Sequence, residues 1–128
     1  MNYTADFETA TWLSDSSYVW AWAICEIGNV NNIKIGNTID SFIDYISKNK
    51  SSKYYFHNLA FDGSFILDYL FKNGYEFIED KKDKRSKTFT TLISDMGMFY
   101  TIEVYFSVKG KKVKKATFID SLKIIPFS

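Results

Sequence analysis

The chain has 128 residues, of which 46% are hydrophobic and 19% aromatic, a composition that excludes a disordered chain and predicts one domain. The formal net charge is +1, so binding to nucleic acid would depend on local patches rather than on the charge of the whole chain. Cys25 is the single cysteine, which excludes an internal disulfide and a zinc site built from cysteines. The sequence shows neither a signal peptide nor an apolar run of membrane-spanning length, so we expect a cytoplasmic protein without a membrane partner.

Apolar and polar residues alternate in the first third of the chain, as in β-strands. The apolar residues that follow are instead spaced as in a helix. The alternation predicts three strands in an antiparallel meander, over residues 2–9, 17–27 and 31–36. Residues 38–50 place apolar side chains at helical spacing, with Thr38 or Asn37 as the N-cap. The pattern therefore predicts three strands followed by a helix.

The remainder predicts a strand over 53–58 and a helix over 62–74 that ends at Gly74. Four side chains of that helix are predicted to face inward: Phe65, Ile66, Tyr69 and Leu70. The charged run 79–87 predicts a solvated loop, and three further strands follow, over residues 88–94, 98–108 and 113–122, joined by tight turns at 95–97 and 109–112. The fold class is α/β, with a mixed sheet, antiparallel strands 1–3 and flanking helices.

Three carboxylates carry the most specific chemical signal. Asp6 and Glu8 lie two residues apart on the first predicted strand, so their side chains point to the same face. A divalent cation would offset their repulsion, and the alternative is an acidic pair that faces solvent. Asp62 follows the fourth strand at the start of a helix, where it is either a third metal ligand or an ordinary N-cap. If the first and fourth strands are neighbours, the three carboxylates converge as in a two-metal phosphodiester site.

Two motifs resemble a known family. "DFET" (6–9) and "YFHNLAFDG" (55–63) are similar to the first two exonuclease motifs of protein-primed family B DNA polymerases of phages. Flanking stretches such as "IGNTIDSFIDYI" and "FIDSLKIIPF" extend the resemblance over nearly the whole chain. The resemblance implies a ribonuclease-H-like 3′–5′ exonuclease domain that proofreads during DNA replication, in a phage or mobile-element protein of a bacterial host.

The resemblance also implies roles for individual residues. Asp6, Glu8 and Asp62 match the catalytic carboxylates that hold two Mg²⁺ or Mn²⁺ ions. The residues that match contacts to single-stranded DNA are Thr9, His57, Asn58, Phe61, Phe65, Ser121 and Leu122. The position of Phe65 is also linked to the terminal protein that primes replication, so the expected partners are single-stranded DNA and a terminal protein.

The sequence departs from the family at the third exonuclease motif, Tyr-x-x-x-Asp, which would supply another metal carboxylate. No tyrosine of the chain has an aspartate at that spacing; Tyr75 has Glu79 there, in the charged run. We therefore interpret residues 1–128 as a C-terminally incomplete exonuclease domain without the polymerase palm, with weak or no nuclease activity and self-association through exposed apolar surface. The alternative is a stand-alone, non-catalytic module that binds single-stranded DNA or a protein of replication or defence.

Two lysine-rich stretches remain, at 81–87 and 109–115. The first is interpreted as a solvated loop. The second flanks two predicted strands, where its charges would follow the phosphates of a nucleic acid without reading the sequence. We expect this binding to be weak and to depend on salt.

Overall fold

A computed structural model describes residues 1–11, 17–93 and 100–121, and within these ranges it forms one mixed eight-stranded sheet and two α-helices. The strands are β1 (Asn2–Thr11), β2 (Ser17–Glu26), β3 (Ile33–Gly36), β4 (Ser52–Phe56), β5 (Glu76–Phe77), β6 (Thr88–Ile93), β7 (Tyr100–Lys109) and β8 (Lys112–Asp120). The helices are α1 (Ile39–Lys48) and α2 (Leu59–Lys72), with a short 3-10 turn at Lys81–Asp83.

The strand order is β3-β2-β1-β4-β8-β7-β6-β5. The antiparallel meander of the first three strands is confirmed, and so is the prediction that β1 and β4 are neighbours. β1 and β4 run parallel, and the last pair in register is Ala5 with Phe56. β1 therefore continues for several residues beyond the end of β4.

The core lies between the helices and one face of the sheet, which we call the inner face. On β1 the buried Tyr3, Ala5 and Phe7 alternate with exposed residues, as expected for a strand with one covered face. Phe7 meets Phe42 of α1 edge-to-face at 4.8 Å and Phe56 of β4 at 5.0 Å. The opposite face, which we call the outer face, carries Asp6, Glu8 and the polar residues of the neighbouring strands.

Helix α1 begins as the sequence predicts. Thr38 is its N-cap: the Ser41 N–H donates to the Thr38 hydroxyl at 3.1 Å, and the Thr38 N–H donates to the Ser41 hydroxyl at 3.2 Å. The Trp22 indole N–H of β2 also donates to the Ser41 hydroxyl, at 2.9 Å. The capping box therefore ties the start of α1 to the inner face of the sheet.

Helix α2 differs from the prediction at its start, because it begins at Leu59 rather than at residue 62. Leu59 is fully buried and extends the apolar stripe of Ile66 and Leu70 by one more turn. β4 correspondingly ends at Phe56, so His57 and Asn58 lie in a turn and not on the predicted strand. The predicted end is confirmed: Gly74 follows the helix with a φ of +79°.

The predicted inward face of α2 is confirmed for its two aliphatic members. Ile66 and Leu70 are fully buried, whereas Phe65 and Tyr69 are only half-buried against the core. The turn predicted at 109–112 is confirmed by Gly110, which has a φ of +61°. The turn predicted at 95–97 lies outside the described residues.

The region after α2 contains a short strand and a 3-10 turn in addition to the predicted loop. The two residues of β5 pair in parallel with β6, and the 3-10 turn then follows within the charged run. The residues of that 3-10 turn are all exposed, as expected for a solvated segment. In the ranges that the structure describes, no helix combines the length and apolar character needed to cross a membrane.

Candidate functional site

The site is centred on Asp62, which lies in the first turn of α2. Its N–H donates to the carbonyl of Asn58 at 3.0 Å, and Asn58 is the N-cap. The Asp62 side chain is buried, with only 7% of the residue exposed, and its carboxylate accepts a hydrogen bond from the backbone N–H of Phe7. Phe7 lies on β1 beyond Ala5, the last residue of β1 that is in register with β4.

The electrostatics of Asp62 couple it to β1. Burial and the negative charge of Asp6 raise the pKa of Asp62 to about 6, against the smaller opposing effect of the Phe7 hydrogen bond, and Glu8 adds to the increase. Asp6 and Glu8 are exposed on β1. The carboxylate of Asp62 therefore lies in the electrostatic field of both acids on the neighbouring strand.

Asn58, and not Asp62, is the N-cap of α2, so the alternative of an ordinary N-cap is wrong. The influence of Asp6 and Glu8 on the pKa of Asp62 supports the other interpretation, in which Asp62 turns toward β1, and that interpretation stays a prediction. The coupling of charges acts over longer distances than metal coordination does, which requires oxygens about 2 Å from the ion. Among residues 1–11, 17–93 and 100–121, no three His, Cys, Asp or Glu side chains are close enough to form a ready metal site.

The three acids nonetheless match the chemistry of a divalent cation. Asp6, Glu8 and Asp62 supply hard oxygen donors, which Mg²⁺ and Mn²⁺ prefer. No ion pair joins any of them to a lysine or arginine in the described part of the chain. A cation at this edge would relieve the repulsion among these acids, which no lysine or arginine of the described residues compensates by an ion pair. The assignment of these three residues as metal ligands stays a prediction.

The corner between β4 and α2 presents polar and aromatic groups beside the acids. His57 and Asn58 are exposed in the turn, and the Asn58 side chain makes no capping hydrogen bond. Phe61 is 47% exposed, and its ring meets that of the half-buried Phe65 edge-to-face at 5.4 Å. Thr9, near the end of β1, is half-buried. The corner thus offers hydrogen-bonding groups and an aromatic surface next to the acids.

Ser121 lies close to this corner through a different contact. Its hydroxyl donates to the carbonyl of Phe56 at 3.0 Å, and Phe56 is the last residue of β4. The Ser121 hydroxyl therefore holds the end of β8 against the strand end that leads into the corner. Leu122, the other predicted contact from this stretch, lies outside the described residues.

The sequence analysis missed a buried polar cluster on the outer face. Glu103 of β7 is 7% exposed; it accepts a hydrogen bond from the Tyr105 hydroxyl at 2.6 Å and pairs with Lys115 at 3.2 Å and Lys81 at 3.4 Å. Burial opposes ionisation of Glu103, but Tyr105 and the two lysines outweigh burial and lower the pKa of its carboxyl. The available signal was the alternation of Thr101, Glu103 and Tyr105 with apolar neighbours.

Asp120 is a second buried carboxylate that the sequence analysis did not single out. It is 3% exposed at the last position of β8, in register with Phe56. Its place in the "DSL" stretch next to Ser121 was the available signal.

Comparison with known proteins places this arrangement in a family. The model of the family described as "DNA polymerase type B, organellar and viral" matches residues 43–128. The DNA polymerase of Bacillus phage M2 is 41% identical over 125 residues, covering 98% of this chain and 21% of that protein. The DNA polymerase of Bacillus phage phi29 is 39% identical over 125 residues, with the same coverage. The chain thus spans about a fifth of the length of these relatives.

Solved structures agree with the sequence relatives. Phi29 DNA polymerase complexed with primer-template DNA and incoming nucleotides superposes with a TM-score of 0.83 at 37% identity, covering 99% of this chain and 22% of that one. The same polymerase complexed with single-stranded DNA gives a TM-score of 0.82 at 37% identity, covering 98% and 22%. These matches support the predicted exonuclease-type fold and favour a polymerase over a stand-alone binding module. The chain belongs to the type B DNA polymerases of organelles and viruses, in its phage branch.

Proposed function

We propose that this chain forms part of the 3′–5′ exonuclease of a protein-primed phage DNA polymerase and acts on the 3′ end of single-stranded DNA. The observation that carries the proposal is the buried Asp62 carboxylate, which the Phe7 amide holds against β1 in the field of Asp6 and Glu8. Such an acidic edge, beside a corner with exposed hydrogen-bonding and aromatic groups, suits a phosphodiester that carries unpaired bases.

The carboxylates would hold Mg²⁺ or Mn²⁺ in this function. When bound, the metals neutralise the acids and the phosphate and activate the attacking water. The chain contributes a buried carboxylate at Asp62, to which the Phe7 amide donates a hydrogen bond. It also contributes three acids near one edge of the sheet, and their negative charge attracts a cation.

The corner would bind the DNA strand. The exposed ring of Phe61, which packs edge-to-face on the half-buried Phe65, offers a stacking surface that accepts any base. The side-chain amide of Asn58, which makes no capping hydrogen bond, can both donate and accept hydrogen bonds. His57 and Thr9 flank the same corner. Ser121 would act indirectly, by holding the end of β4, and its hydroxyl oxygen would still have two lone pairs to accept hydrogen bonds. In this proposal the terminal protein contacts the same corner at Phe65.

The metal assignment is tested by thermal unfolding with and without Mn²⁺. We expect Mn²⁺ to raise the Tm of the wild-type chain and to have little effect on Asp6→Asn or Asp62→Asn, because each substitution removes one charged ligand. Asp44→Asn is the matched control, since Asp44 is an exposed acid of α1 that pairs with Lys48. An equal rise in Tm in all four proteins, or in none of them, would contradict a metal site at these acids.

Nuclease activity is tested on a 5′-labelled oligonucleotide in Mn²⁺. Since the 128 residues contain no Tyr-x-x-x-Asp motif, we expect weak digestion or none. Robust 3′–5′ laddering that Asp6→Asn abolishes would show that three carboxylates suffice for catalysis, and the expectation of weak activity would then be wrong.

A further inference from the structure

The outer face holds a second polar site, separate from the acidic edge. A depression of about 380 Å³ opens there, and residues from β1, β4, β7 and β8 line it. Lys53 of β4 lies between Asn2 of β1 and Thr117 of β8, and Thr117 is in turn in register with Glu103 of β7. These four side chains form one row across four adjacent strands. Asn2 and Asp6 are four residues apart on β1, which places this row about 13 Å from the acidic edge.

Three polar side chains of the row make no hydrogen bond or ion pair with the described residues and could therefore bind a ligand. Within the described residues, no hydrogen bond or ion pair engages the ammonium group of Lys53, the hydroxyl of Thr117 or the side-chain amide of Asn2. All three line the same depression. A lysine whose register neighbours are two short polar side chains in the same depression can meet, together with them, a ligand with several acceptor oxygens.

The charge of the site favours an anion. Glu103 is the acid in the lining, but the ammonium groups of Lys115 and Lys81 and the Tyr105 hydroxyl already compensate its carboxylate. Two lysines, Lys53 and Lys115, line the depression together with this one carboxylate, and Lys81 pairs with Glu103 from outside the lining. Lys115 also lines the depression, so it can be shared between Glu103 and a bound anion.

We propose that the depression bounded by Asn2, Lys53, Lys115 and Thr117 is a binding site for a phosphoryl group. Ammonium and hydroxyl donors match the tetrahedral oxygens of a phosphate, while the lining contains no arginine fork of the kind that recognises carboxylates in a bidentate manner. The phosphoryl group could be carried by a free nucleotide or by the backbone of a nucleic acid. The site does not depend on the carboxylates of the proposed exonuclease.

The test follows backbone amide shifts by NMR while inorganic phosphate, deoxyadenosine monophosphate or a short oligodeoxynucleotide is added to the 128-residue chain. We expect saturable shifts at residues 51–53 and 115–117. Lys53→Gln should weaken binding about tenfold, because it removes a charge-assisted hydrogen bond. Thr117→Val keeps the shape of the side chain and should weaken binding several-fold. If all three probes bind with similar affinity, the natural ligand is a free phosphate or nucleotide. If the oligonucleotide binds much more tightly than the other two, the ligand is the backbone of a nucleic acid.

Lys34→Gln is the matched control for charge. Lys34 is an exposed lysine of β3, at the far edge of the sheet, and its substitution should leave the affinity unchanged within twofold. Shifts that do not saturate, or an equal loss of affinity in the Lys34 and Lys53 variants, would overturn the proposal in favour of diffuse attraction. Each variant's own spectrum shows whether it is folded, and Mn²⁺ is omitted so that the result is independent of the acidic edge.

Discussion

Asp62 combines two interactions that pull its protonation in opposite directions. The Phe7 amide favours the ionised carboxylate, whereas burial and the neighbouring acids favour the neutral form and prevail. A metal-free chain therefore carries an unfavourable charge at neutral pH. We infer that the acidic edge reduces the stability of the fold and that a cation would restore it.

Asp62→Asn should stabilise the metal-free chain near neutral pH. The folded-state pKa of Asp62 lies above its ordinary value of 3.8, so ionised Asp62 destabilises the folded state, and this cost appears as pH rises from about 4 through about 6. The asparagine keeps an oxygen for the Phe7 amide and loses the charge. We expect the free energy of unfolding of the variant to exceed that of wild type by on the order of 1–2 kcal/mol at about pH 7. At about pH 4 the two values should be equal.

Urea denaturation in a chelating buffer at several pH values measures this difference. Asp44→Asn is again the control, because its exposed carboxylate should give no gain in stability between the two pH values. A difference between wild type and Asp62→Asn that stays constant with pH would contradict the raised pKa.

Gly36 shows a packing constraint at the scale of one atom. It lies opposite Trp22 in register, and a Cβ at this position would collide with the indole ring. We expect Gly36→Ala to lower the free energy of unfolding by about 1–3 kcal/mol through overpacking. Denaturation of the single variants and of the double variant with Trp22→Phe gives a double-mutant cycle. The smaller ring should relieve part of the cost, and additive effects would exclude the collision as the cause.

At the scale of elements, the two helices begin in different ways. Thr38 and Ser41 cap α1 reciprocally, and Ser41 also accepts the bond from Trp22. Asn58 leaves the start of α2 without a side-chain cap, and its exposed amide remains available to a ligand. The first helix is thus stabilised locally, while the second depends on tertiary packing and leaves polar groups free at the corner.

Thr38→Ala should therefore destabilise the protein by about 1 kcal/mol, since the first turn of α1 would lose a hydrogen-bond acceptor. Thr38→Ser retains the hydroxyl and should stay close to wild type. Urea denaturation of the two variants is the measurement, and equal stabilities would show that the cap contributes nothing in this context.

The elements also show how far the sequence could predict the structure. The strand and helix periods located α1 and most strands, because each has one apolar face and clear ends. The start of α2 was misplaced because His57 and Asn58 fit either a strand end or a turn, and only the burial of Leu59 decides between them. β5 has two residues, too few for any period.

At the scale of the whole molecule, the position of β4 between β1 and β8 assembles the acidic edge. The sequence could predict the contact of Asp62 with β1 only as a consequence of β1 and β4 being neighbours. The sequence could not predict that two lysines compensate the negative charge of Glu103. Lys81 and Lys115 come from distant parts of the chain and meet only in the folded protein.

The lysines of the β7–β8 turn should contribute to nonspecific DNA binding. Lys111 and Lys112 are exposed there. The Lys111→Gln/Lys112→Gln variant should bind a fluorescent oligonucleotide more weakly, and the slope of log K against log salt should fall by roughly 1, since single strands lose about 0.7 per phosphate contact. Lys48→Gln/Lys72→Gln makes the same change of charge on the helices and is the control. An unchanged slope in the first variant would remove the turn from the DNA-binding surface.

The two edge strands have a consequence for aggregation. β3 has four residues and β5 has two, and among the described residues they pair only with Trp22–Cys25 of β2 and with Thr88–Phe89 of β6. Ile33 and Ile35 of β3 are 54% and 77% exposed, a combination that would favour polymerisation of chains on a longer edge. The short outermost strands themselves offer an incoming strand little template, so self-association by β-pairing would have to use the parts of β2 and β6 that extend beyond them.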